Sequence, residues 1–412
     1  MTIEIQLDRL MHELETLAGF SDAPAPAVTR VVFSEADLRA REWLKGLFAE
    51  AGLIIREDAV GNTFARWQGA DPALEPVASG SHIDAIPQAG RYDGTVGVLG
   101  ALEAIRYLQH AGLRPRRSIE LVLFTSEEPT RFGIGCLGSR LLAGSLSPEK
   151  AATLRDDRGA SLDEVRTAAG FRGPLDSVRL TPGSYHAFVE LHIEQGPLLE
   201  QSGVPLGLVT AIAAPATLRF AIEGVGGHAG AVLMPGRRDA FLAAAELALA
   251  VEAAARGTGA MDTVATVGVC EIFPGAVNSI PSRVRMMADV RDIDLARRDG
   301  VLAAISKSAG TIAAARRVTI EREMLNCDAP AETAPLVLAE LRRAAEECGL
   351  ASVMMVSRAY HDTLFMARAV PAGMLFIPCA GGISHRPEEY AAPADIERGV
   401  RVLAGALARL AA

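Results

Sequence analysis

Four short apolar runs in this sequence each end in a polar stretch that carries histidine or acidic residues. Apolar runs of roughly four to eight residues are typical of buried strands, and helical patterns such as residues 96–110 lie between some of them. This alternation predicts an α/β domain with helices on both faces of a mixed sheet. In such sheets ligand-binding residues collect at the carboxyl ends of the strands, so the polar stretches should meet there. The runs are residues 76–79 before His82, 119–124 before Glu127 and Glu128, 187–191 before His192, and 374–377 before His385.

Between residues 214 and 330 the sequence pattern changes and predicts a short series of strands and helices. The order is a strand at 218–222, a helix at 238–255, two strands around 273–278, a helix at 295–315 and a strand at 318–323. This βαββαβ order is the ferredoxin-like unit, and prolines stand near both junctions. We therefore predict a catalytic domain of residues 1–214 and 329–412, interrupted by an inserted dimerisation and lid domain of residues 215–328.

Composition excludes several classes of function. The chain has 412 residues, half of them hydrophobic, and a formal net charge of -9. Because an acidic chain has no electrostatic attraction to nucleic acid or to anionic membranes, we expect neither as a partner. No signal peptide or membrane span is visible. The five cysteines are odd in number and widely scattered, which argues against disulfides and thiolate zinc sites and favours a reducing cytoplasm.

Histidines and carboxylates supply the candidate chemistry. His82 stands two residues before Asp84, whose carboxylate could hold the ring nitrogen that faces away from a metal. An isolated pair of this kind is more often structural than metal-binding. Asp93 lies on a glycine-flanked turn and could bridge two cations, although taken alone it would be an ordinary turn residue.

Glu127 and Glu128 are adjacent in the loop after the second apolar run, where neighbouring side chains can converge. One could bind a metal while the other moves a proton, whereas an isolated pair is more often a solvated loop feature. His192 and His385 add imidazoles after the later runs. Imidazole and carboxylate donors without thiolates suit Zn²⁺, Mn²⁺, Co²⁺ or Ni²⁺. Two ions could share this set and leave one position for water.

Two other motifs do not carry a function. Residues 133–138 match G-x-G-x-x-G, but residues 127–132 separate them from the preceding strand, so a dinucleotide site is not indicated. The sequence has no G-x-S-x-G elbow, so a nucleophilic serine is unsupported.

A series of short motifs, taken together, resembles the dinuclear metal amidohydrolases of the carbamoylase family. The resemblance runs from about residue 33 to the C-terminus. It implies that Asp93 bridges two ions, with Glu127 as the general base. It also implies that His82 and His192 complete one site with Asp93, and Glu128 and His385 the other. The motifs are Gly80-Ser-His-Ile-Asp84, Tyr92-Asp-Gly94, Thr125-Ser-Glu-Glu128, Arg131-Phe-Gly133, Glu190-Leu-His-Ile-Glu-Gln-Gly-Pro197, Gly227-His-Ala-Gly230, Asn278-Ser-Ile-Pro281, Asp289-Val-Arg-Asp292 and Ser384-His385.

The same resemblance implies a substrate-binding set, cofactors and a partner. By matching motif, Gln195, Asn278 and Arg291 grip the substrate carboxylate, and His228 stabilises the developing oxyanion. We expect two divalent ions per subunit, Mn²⁺ or Zn²⁺, with Co²⁺ and Ni²⁺ also compatible. We also expect a homodimer through the inserted domain, an interface across which His228 could act.

Two stretches depart from the usual carbamoylase pattern. Proline follows the Glu127 and Glu128 pair where glycine is usual, and residues 357–362 read Ser-Arg-Ala-Tyr-His-Asp in place of Gly-Ala-Gly-His-Asp. These departures, with residues 365–368 and 386–390, resemble the branch of the family that acts on ureidoglycolate. Tyr360 and His361 are therefore expected to contact the substrate, although packing is an equally simple role for Tyr360.

The expected activity is hydrolysis of a ureido C–N bond in a small carboxylate. We expect (S)-ureidoglycolate as the substrate, with glyoxylate, ammonia and CO₂ as products. Water activated by the two ions would attack, and Glu127 would take its proton. The alternatives are an N-carbamoyl-L-amino-acid hydrolase and an allantoate amidohydrolase. A non-catalytic binding protein of the same fold is more remote, because the ligand set and Glu127 are intact.

Overall fold

The computed structural model describes residues 4–412. Its strands are β1 (Val28–Arg30), β2 (Ile54–Glu57), β3 (Thr63–Trp67), β4 (Val77–Ser81), β5 (Ala85–Ala89), β6 (Ile119–Leu123), β7 (Ala187–Ile193), β8 (Leu206–Ile212), β9 (Ala214–Glu223), β10 (Gly227–His228), β11 (Val264–Phe273), β12 (Ser279–Ile280), β13 (Arg283–Asp292), β14 (Thr319–Cys327), β15 (Ala331–Glu332), β16 (Ser352–Ser357) and β17 (Ala372–Ile377). Its α-helices are α1 (Leu7–Ala18), α2 (Glu35–Glu50), α3 (Thr95–His110), α4 (Leu137–Leu142), α5 (Pro148–Thr153), α6 (Leu162–Ala168), α7 (Leu198–Ser202), α8 (Ala240–Arg256), α9 (Leu295–Arg316), α10 (Pro335–Glu347), α11 (Asp362–Met366) and α12 (Pro393–Leu410).

These elements form two compact units. The first contains the described residues up to Thr210 together with Glu332–Met355 and His361–Ala412, and the second contains Ala211–Ala331 and Val356–Tyr360. The segment Val356–Tyr360 was assigned to the catalytic domain from the sequence, but the structure groups it with the second unit. The reason is a pair of contacts inside that unit, since Arg358 pairs with Asp262 and the Tyr360 hydroxyl donates to Asp328.

The sheet of the first unit is mixed, as predicted. Its strand order is β15-β8-β17-β7-β4-β6-β3-β2, with β16 paired to β8. The central strands β17, β7, β4 and β6 are parallel, whereas β8 and β3 run antiparallel beside them. Helices α1, α2, α3, α10 and α12 pack on one face, and α4, α5, α6 and α11 pack on the other. The prediction of helices on both faces is therefore confirmed.

The register of the parallel strands aligns the polar stretches of the sequence. Ser81, the last residue of β4, pairs with Leu123 at the end of β6, and His192 in β7 pairs with Phe376 in β17. All residues of these four strands are buried, as expected for parallel strands covered on both faces. The loops that follow them therefore leave the sheet in the same direction and carry the candidate donors together.

The sheet of the second unit is antiparallel, with strand order β11-β13-β9-β14. Helices α8 and α9 cover one face and share an apolar core with the strands. This is the ferredoxin-like arrangement predicted from the sequence. The prediction missed the short ladder in which Gly227 and His228 of β10 pair with Ile280 and Ser279 of β12, because two-residue strands show no periodicity.

The N-terminal region is helical apart from one short strand. Helix α2 begins after Ser34, whose hydroxyl accepts a hydrogen bond from the Asp37 N–H. Strand β1, which pairs with β5, was not predicted. In the part of the chain that the structure describes, no helix has both the length and the apolar character needed to cross a bilayer.

Candidate dinuclear metal centre

The candidate donors of the first unit lie in or after its parallel strands. His82 follows β4, Glu127 and Glu128 follow β6, His192 lies in β7, and His385 follows β17. All of them except His385 are at least nine-tenths buried. Ser126 has a φ of 56°, an uncommon conformation for serine, and it redirects the chain directly after β6. This turn lets two adjacent carboxylates enter the same cluster.

Asp93 lies between two groups of donors. Its Oδ1 is 3.2 Å from His192 Nε2 and 3.6 Å from His82 Nε2. Its Oδ2 is 3.2 Å from His385 Nε2, which is itself 3.3 Å from Glu128 Oε1. Within each group the ligand atoms lie within 4.8 Å of one another. Each oxygen of Asp93 therefore faces a different set of donors, which is the arrangement of a bridging carboxylate.

The spacing of these atoms fits first-row metal ions. Ligands bound tetrahedrally at 2.0 to 2.2 Å from zinc lie about 3.3 Å apart, close to the separations observed around Asp93. His82 Nδ1 is 3.0 Å from the main-chain oxygen of Asp84, and His192 Nδ1 is 2.8 Å from that of Ile193. Because Nδ1 donates to a carbonyl, the lone pair of each ring is on Nε2, which faces Asp93. The residues present thus fit a pair of divalent ions.

Gly94 keeps the two imidazoles close to the bridging carboxylate. Its φ is 67°, and a Cβ at this position would lie 2.5 Å from the His82 ring. Its N–H points at His192 Nε2 from 3.2 Å, which requires a lone pair on that nitrogen. Glycine is therefore needed for both the backbone conformation and the close approach.

The electrostatics of the cluster favour cations. Burial alone would raise the pKa of Asp93, but the neighbouring imidazoles of His192, His385 and His82 hold it well below its usual value. Hydrogen bonds to Asp93 and Glu128 raise the pKa of His385 to about 11. A metal ion at that position would displace the proton of His385 and would balance the negative charge of the two carboxylates in its place.

Glu127 belongs to neither group of donors, although it is adjacent to Glu128. Its Oε2 is 3.8 Å from His82 Nε2, and its Oε1 accepts a hydrogen bond from the Cys136 thiol at 3.4 Å. Burial, offset in part by His82, raises the pKa of Glu127 well above that of an exposed glutamate. A buried carboxylate with raised proton affinity beside the donor cluster is suited to carry a proton.

Asp84 performs a different task from the one predicted. Its carboxylate was expected to hold the His82 ring, but Oδ1 is 3.8 Å from Nδ1, and the main-chain oxygen of Asp84 accepts that hydrogen bond instead. The carboxylate accepts the backbone N–H groups of Glu127 at 3.1 Å and Glu128 at 3.0 Å. One oxygen serves each amide, so Asp84 fixes the backbone of both glutamates.

Replacing Asp84 with asparagine should therefore disturb both glutamates. The amide has one acceptor oxygen, so one buried N–H loses its partner, at a cost of about 1–3 kcal/mol. We expect kcat to fall and metal affinity to weaken by about 10–100-fold, the usual effect of removing a partner of a metal ligand. Asp71→Asn, on a surface turn, is the control. Wild-type kinetics and metal content in Asp84→Asn would contradict this role.

Two predicted substrate-binding residues of the first unit contact the donor cluster. Gln195 has a φ of 55°, and its amide nitrogen donates to Asp93 Oδ2 at 2.7 Å. The His361 ring is fully buried, with its centroid 4.6 Å from that of His192. Glu190 lies beside these two histidines, but its oxygens accept from Ser81 and Thr363. The structure thus shows Gln195 holding the Asp93 carboxylate by a hydrogen bond, and the substrate contacts of Gln195 and His361 stay predictions.

The second unit brings His228 and Asn278 together through the β10 and β12 ladder. The Ala229 N–H donates to the Asn278 carbonyl at 2.9 Å, and both predicted residues are exposed. The N–H groups of Gly230 and Ala231 point at His228 Nδ1 from 3.1 and 3.2 Å. The lone pair of the neutral ring is therefore on Nδ1, which leaves Nε2–H as a hydrogen-bond donor.

Arg291 and Tyr360 also lie in the second unit, each with an acidic partner. Arg291 Nε donates to Asp289 at 2.7 Å, and one terminal nitrogen donates to the Arg358 carbonyl at 3.2 Å. The Tyr360 hydroxyl donates to Asp328 Oδ2 at 2.9 Å. These contacts orient both side chains, and Asp328 was not among the residues predicted from the sequence.

The sequence matches peptidase family M20/M25/M40 over residues 78–409. It is 54% identical to the ureidoglycolate hydrolase of Arabidopsis thaliana over 99% of this chain and 87% of that protein. The chain belongs to this family. Within the family it is 40% identical to the N-carbamoyl-L-amino acid amidohydrolase of Geobacillus stearothermophilus, over 97% of each chain.

Solved structures of this M20 family agree with the fold. The crystal structure of AtUAH in complex with (S)-hydroxyglycine matches with a TM-score of 0.92 and 54% identity, over 100% of this chain and 99% of that one. The resemblance to carbamoylase-type amidohydrolases is thereby confirmed, and so is the predicted enzyme class, a hydrolase of linear C–N amide bonds. M20 enzymes are generally dinuclear, and the donor groups around Asp93 are consistent with that.

Several residues of this M20 site were missed by sequence reasoning. Cys136 contacts Glu127, while Ser384 and Glu389 contact Asp93 or its backbone. Asp362 is fully buried, accepts a hydrogen bond from Ser139, and has its pKa raised well above the usual value by burial and by Glu190. Ser384 and Asp362 stand beside predicted residues in the motifs that carry the resemblance, and Glu389 belongs to an acidic pair just beyond His385, so these three carried a signal in the sequence.

Proposed function

We propose that this protein hydrolyses (S)-ureidoglycolate at the C–N bond between the carbamoyl carbon and the α-nitrogen. The observation that carries the proposal is the pair of donor groups that share Asp93, with Glu127 beside them and outside both. The similarity to AtUAH, whose crystal structures hold glyoxylate and (S)-hydroxyglycine, supports the choice of substrate. The products would be (S)-hydroxyglycine and carbamate. Carbamate decomposes to CO₂ and ammonia, and hydroxyglycine loses ammonia to give glyoxylate.

His82 and His192 would hold one divalent ion with Asp93, and Glu128 and His385 the other. Mn²⁺ and Zn²⁺ fit these nitrogen and oxygen donors, and Co²⁺ and Ni²⁺ are also compatible. When bound, two such ions lower the pKa of water and polarise the substrate carbonyl. Asp93 would be oriented by the 2.7 Å hydrogen bond from Gln195.

Glu127 would act as the general base and then as the general acid. It takes a proton from the attacking water and returns it to the α-nitrogen as the C–N bond breaks. The Cys136 thiol donates to the Glu127 carboxylate, and the Glu127 backbone N–H donates to Asp84. These two hydrogen bonds would keep Glu127 in place through both transfers. Because burial raises its pKa, Glu127 can hold the proton between the two steps.

The remaining predicted residues would bind the substrate. His228 presents Nε2–H, because backbone amides occupy Nδ1, and this donor suits the oxyanion of the tetrahedral intermediate. Arg291 and Asn278 would bind the carboxylate, with Gln195 and His361 completing the contacts. The Tyr360 hydroxyl donates a hydrogen bond to Asp328, so its oxygen would accept a hydrogen bond from the substrate hydroxyl.

We also propose a homodimer through the second unit. Strand β11 is at one edge of its sheet, and α8 packs over β11 and β13 on the same side. Exposed apolar side chains lie on both elements, among them Leu242 and Leu249 of α8 and Val264 of β11. An edge strand beside an exposed apolar helix is most simply covered by a second copy.

Leu249→Glu should weaken this dimer. Leu249 is 67% exposed on α8, and its replacement would place an unpaired charge in the interface. We expect the dimer dissociation constant to rise by about tenfold or more, which is about 1.4 kcal/mol. Light scattering across a dilution series measures it. Met324→Glu, on the opposite edge strand β14, is the control, and equal effects of the two variants would move the interface away from α8.

The proposed location is the cytoplasm. None of the five cysteines is paired in a disulfide, and two of them, Cys270 and Cys327, are exposed. Exposed free thiols are compatible with a reducing compartment.

Product stoichiometry tests the proposed activity directly. The protein is incubated with (S)-ureidoglycolate and Mn²⁺, and ammonia, glyoxylate and urea are measured. We expect two ammonia molecules for each glyoxylate and no urea, with activity lost after chelation and restored by added metal. Release of urea, or turnover that resists chelation, would overturn the proposed reaction.

A further inference from the structure

Glu389 joins two separate segments of the candidate metal centre. It is 3% exposed and lies four residues after His385, at the far end of the loop that carries this histidine. Its Oε1 accepts the backbone N–H groups of Tyr92 at 2.7 Å and Asp93 at 3.1 Å. Its Oε2 accepts the Ser384 hydroxyl at 2.8 Å. One side chain thus holds the turn of the bridging carboxylate against the His385 loop.

The fit around Glu389 is tight. A Cβ added to Gly90 would lie 2.3 to 2.4 Å from side-chain atoms of Glu389, so that turn packs directly on the carboxylate. Three donors face its two oxygens, and each contact requires an acceptor. The geometry therefore leaves no place for a donor group at this position.

Ser384 connects Glu389 to the metal centre. Its hydroxyl lies 2.8 Å from Glu389 Oε2 and 3.1 Å from Asp93 Oδ2, but it has a single proton to donate. Asp93 Oδ2 is also the oxygen that faces His385 and Glu128. That oxygen already accepts the Gln195 amide at 2.7 Å, so when Ser384 donates to Glu389 it carries one hydrogen bond fewer and more of its electron density is left for an ion. When Ser384 donates to Asp93, the hydroxyl competes with the ion.

We propose that Glu389 is a positioning residue that directs the Ser384 hydroxyl away from Asp93 and thereby sets the affinity of the ion held by Glu128 and His385. This inference rests on the proposed dinuclear centre. The affinity of the other ion, at His82 and His192, depends on Asp93 Oδ1 and is affected much less.

Glu389→Gln is the variant that isolates this effect. The amide oxygen must face the two backbone N–H groups, because an NH₂ group there would meet two donors. The NH₂ group then faces Ser384 and cannot accept a hydrogen bond from it. The Ser384 hydroxyl therefore turns and donates to Asp93. Shape and packing are kept, so the fold should persist. Glu388→Gln is the matched control, since Glu388 is exposed, pairs with Arg386 on the surface, and loses the same charge.

The two stepwise dissociation constants for Mn²⁺ are measured by titrating metal-free protein and following free Mn²⁺ by electron paramagnetic resonance. In Glu389→Gln one constant should rise by about 10–100-fold, the usual range for partners of metal ligands, while the other changes by less than threefold or so. Adding Ser384→Ala to Glu389→Gln should recover most of the loss, because the competing hydroxyl is gone. A purely structural role for Glu389 would not predict that recovery.

Each other outcome has a definite meaning. Two wild-type constants in Glu389→Gln would overturn the inference. Equal weakening of both ions, with a lower melting temperature of the metal-free variant and no recovery by Ser384→Ala, would also overturn it and leave Glu389 as a structural residue. Failure of the wild type to bind two ions would instead contradict the proposed dinuclear function, and the inference with it.

Discussion

Glu127→Gln is expected to lower kcat by about two to four orders of magnitude while both ions remain bound. The carboxylate lies outside the two donor groups around Asp93, so its loss removes no ligand. Glutamine keeps the shape of the side chain and can still accept the hydrogen bond from the Cys136 thiol, but it cannot take a proton from water. Steady-state kinetics give kcat, and metal analysis of the purified variant gives the number of ions per subunit.

Glu128→Gln is the matched comparison, because it makes the same change one residue away. Glu128 Oε1 is 3.3 Å from His385 Nε2, so this variant should lose affinity for one ion and recover activity at high metal concentration. Glu127→Gln should show no such recovery. If Glu127→Gln loses an ion and Glu128→Gln keeps both, the two carboxylates have the opposite roles.

The elements that could be predicted from the sequence are those in which most residues are apolar and buried. Within the run 119–124, residues 119–123 form β6 with every residue buried, and the βαββαβ series forms an antiparallel sheet with α8 and α9 on one face. Long helices and fully covered strands bury one continuous set of apolar residues, which periodicity detects. Strands β1 and β10 were missed because their two or three residues carry no period and depend on a partner strand far along the chain.

The candidate site was predictable in its residue types but not in its hydrogen bonds. The donors around Asp93 lie in or after four strands, and that pattern is visible in the sequence. Which oxygen of Asp84 faces His82 depends on the path of the chain after β4, and spacing alone favoured the wrong one. Glu389 meets Tyr92 across a separation of 297 residues, a contact that no local pattern encodes.

The second large effect concerns the substrate. (S)-Ureidoglycolate and N-carbamoylglycine differ by one α-hydroxyl, and a site built to hydrogen-bond a hydroxyl rejects the analogue without it by about four orders of magnitude. Tyr360 is the candidate partner. Its hydroxyl donates a hydrogen bond to Asp328 Oδ2 at 2.9 Å, which leaves the phenol oxygen oriented as an acceptor. Tyr360→Phe should therefore slow ureidoglycolate selectively. Tyr107→Phe, on α3, is the control.

The ratio of kcat/KM for (S)-ureidoglycolate to that for N-carbamoylglycine, measured on the wild type with Mn²⁺ present, tests the proposed function most directly. We expect a ratio of about 10⁴, shrinking towards about 10² in Tyr360→Phe because only the hydroxylated substrate loses a contact. Faster cleavage of N-carbamoylglycine or other N-carbamoyl-L-amino acids by the wild type, with Tyr360→Phe slowing all substrates equally, would contradict the assignment and identify the protein as a carbamoylase.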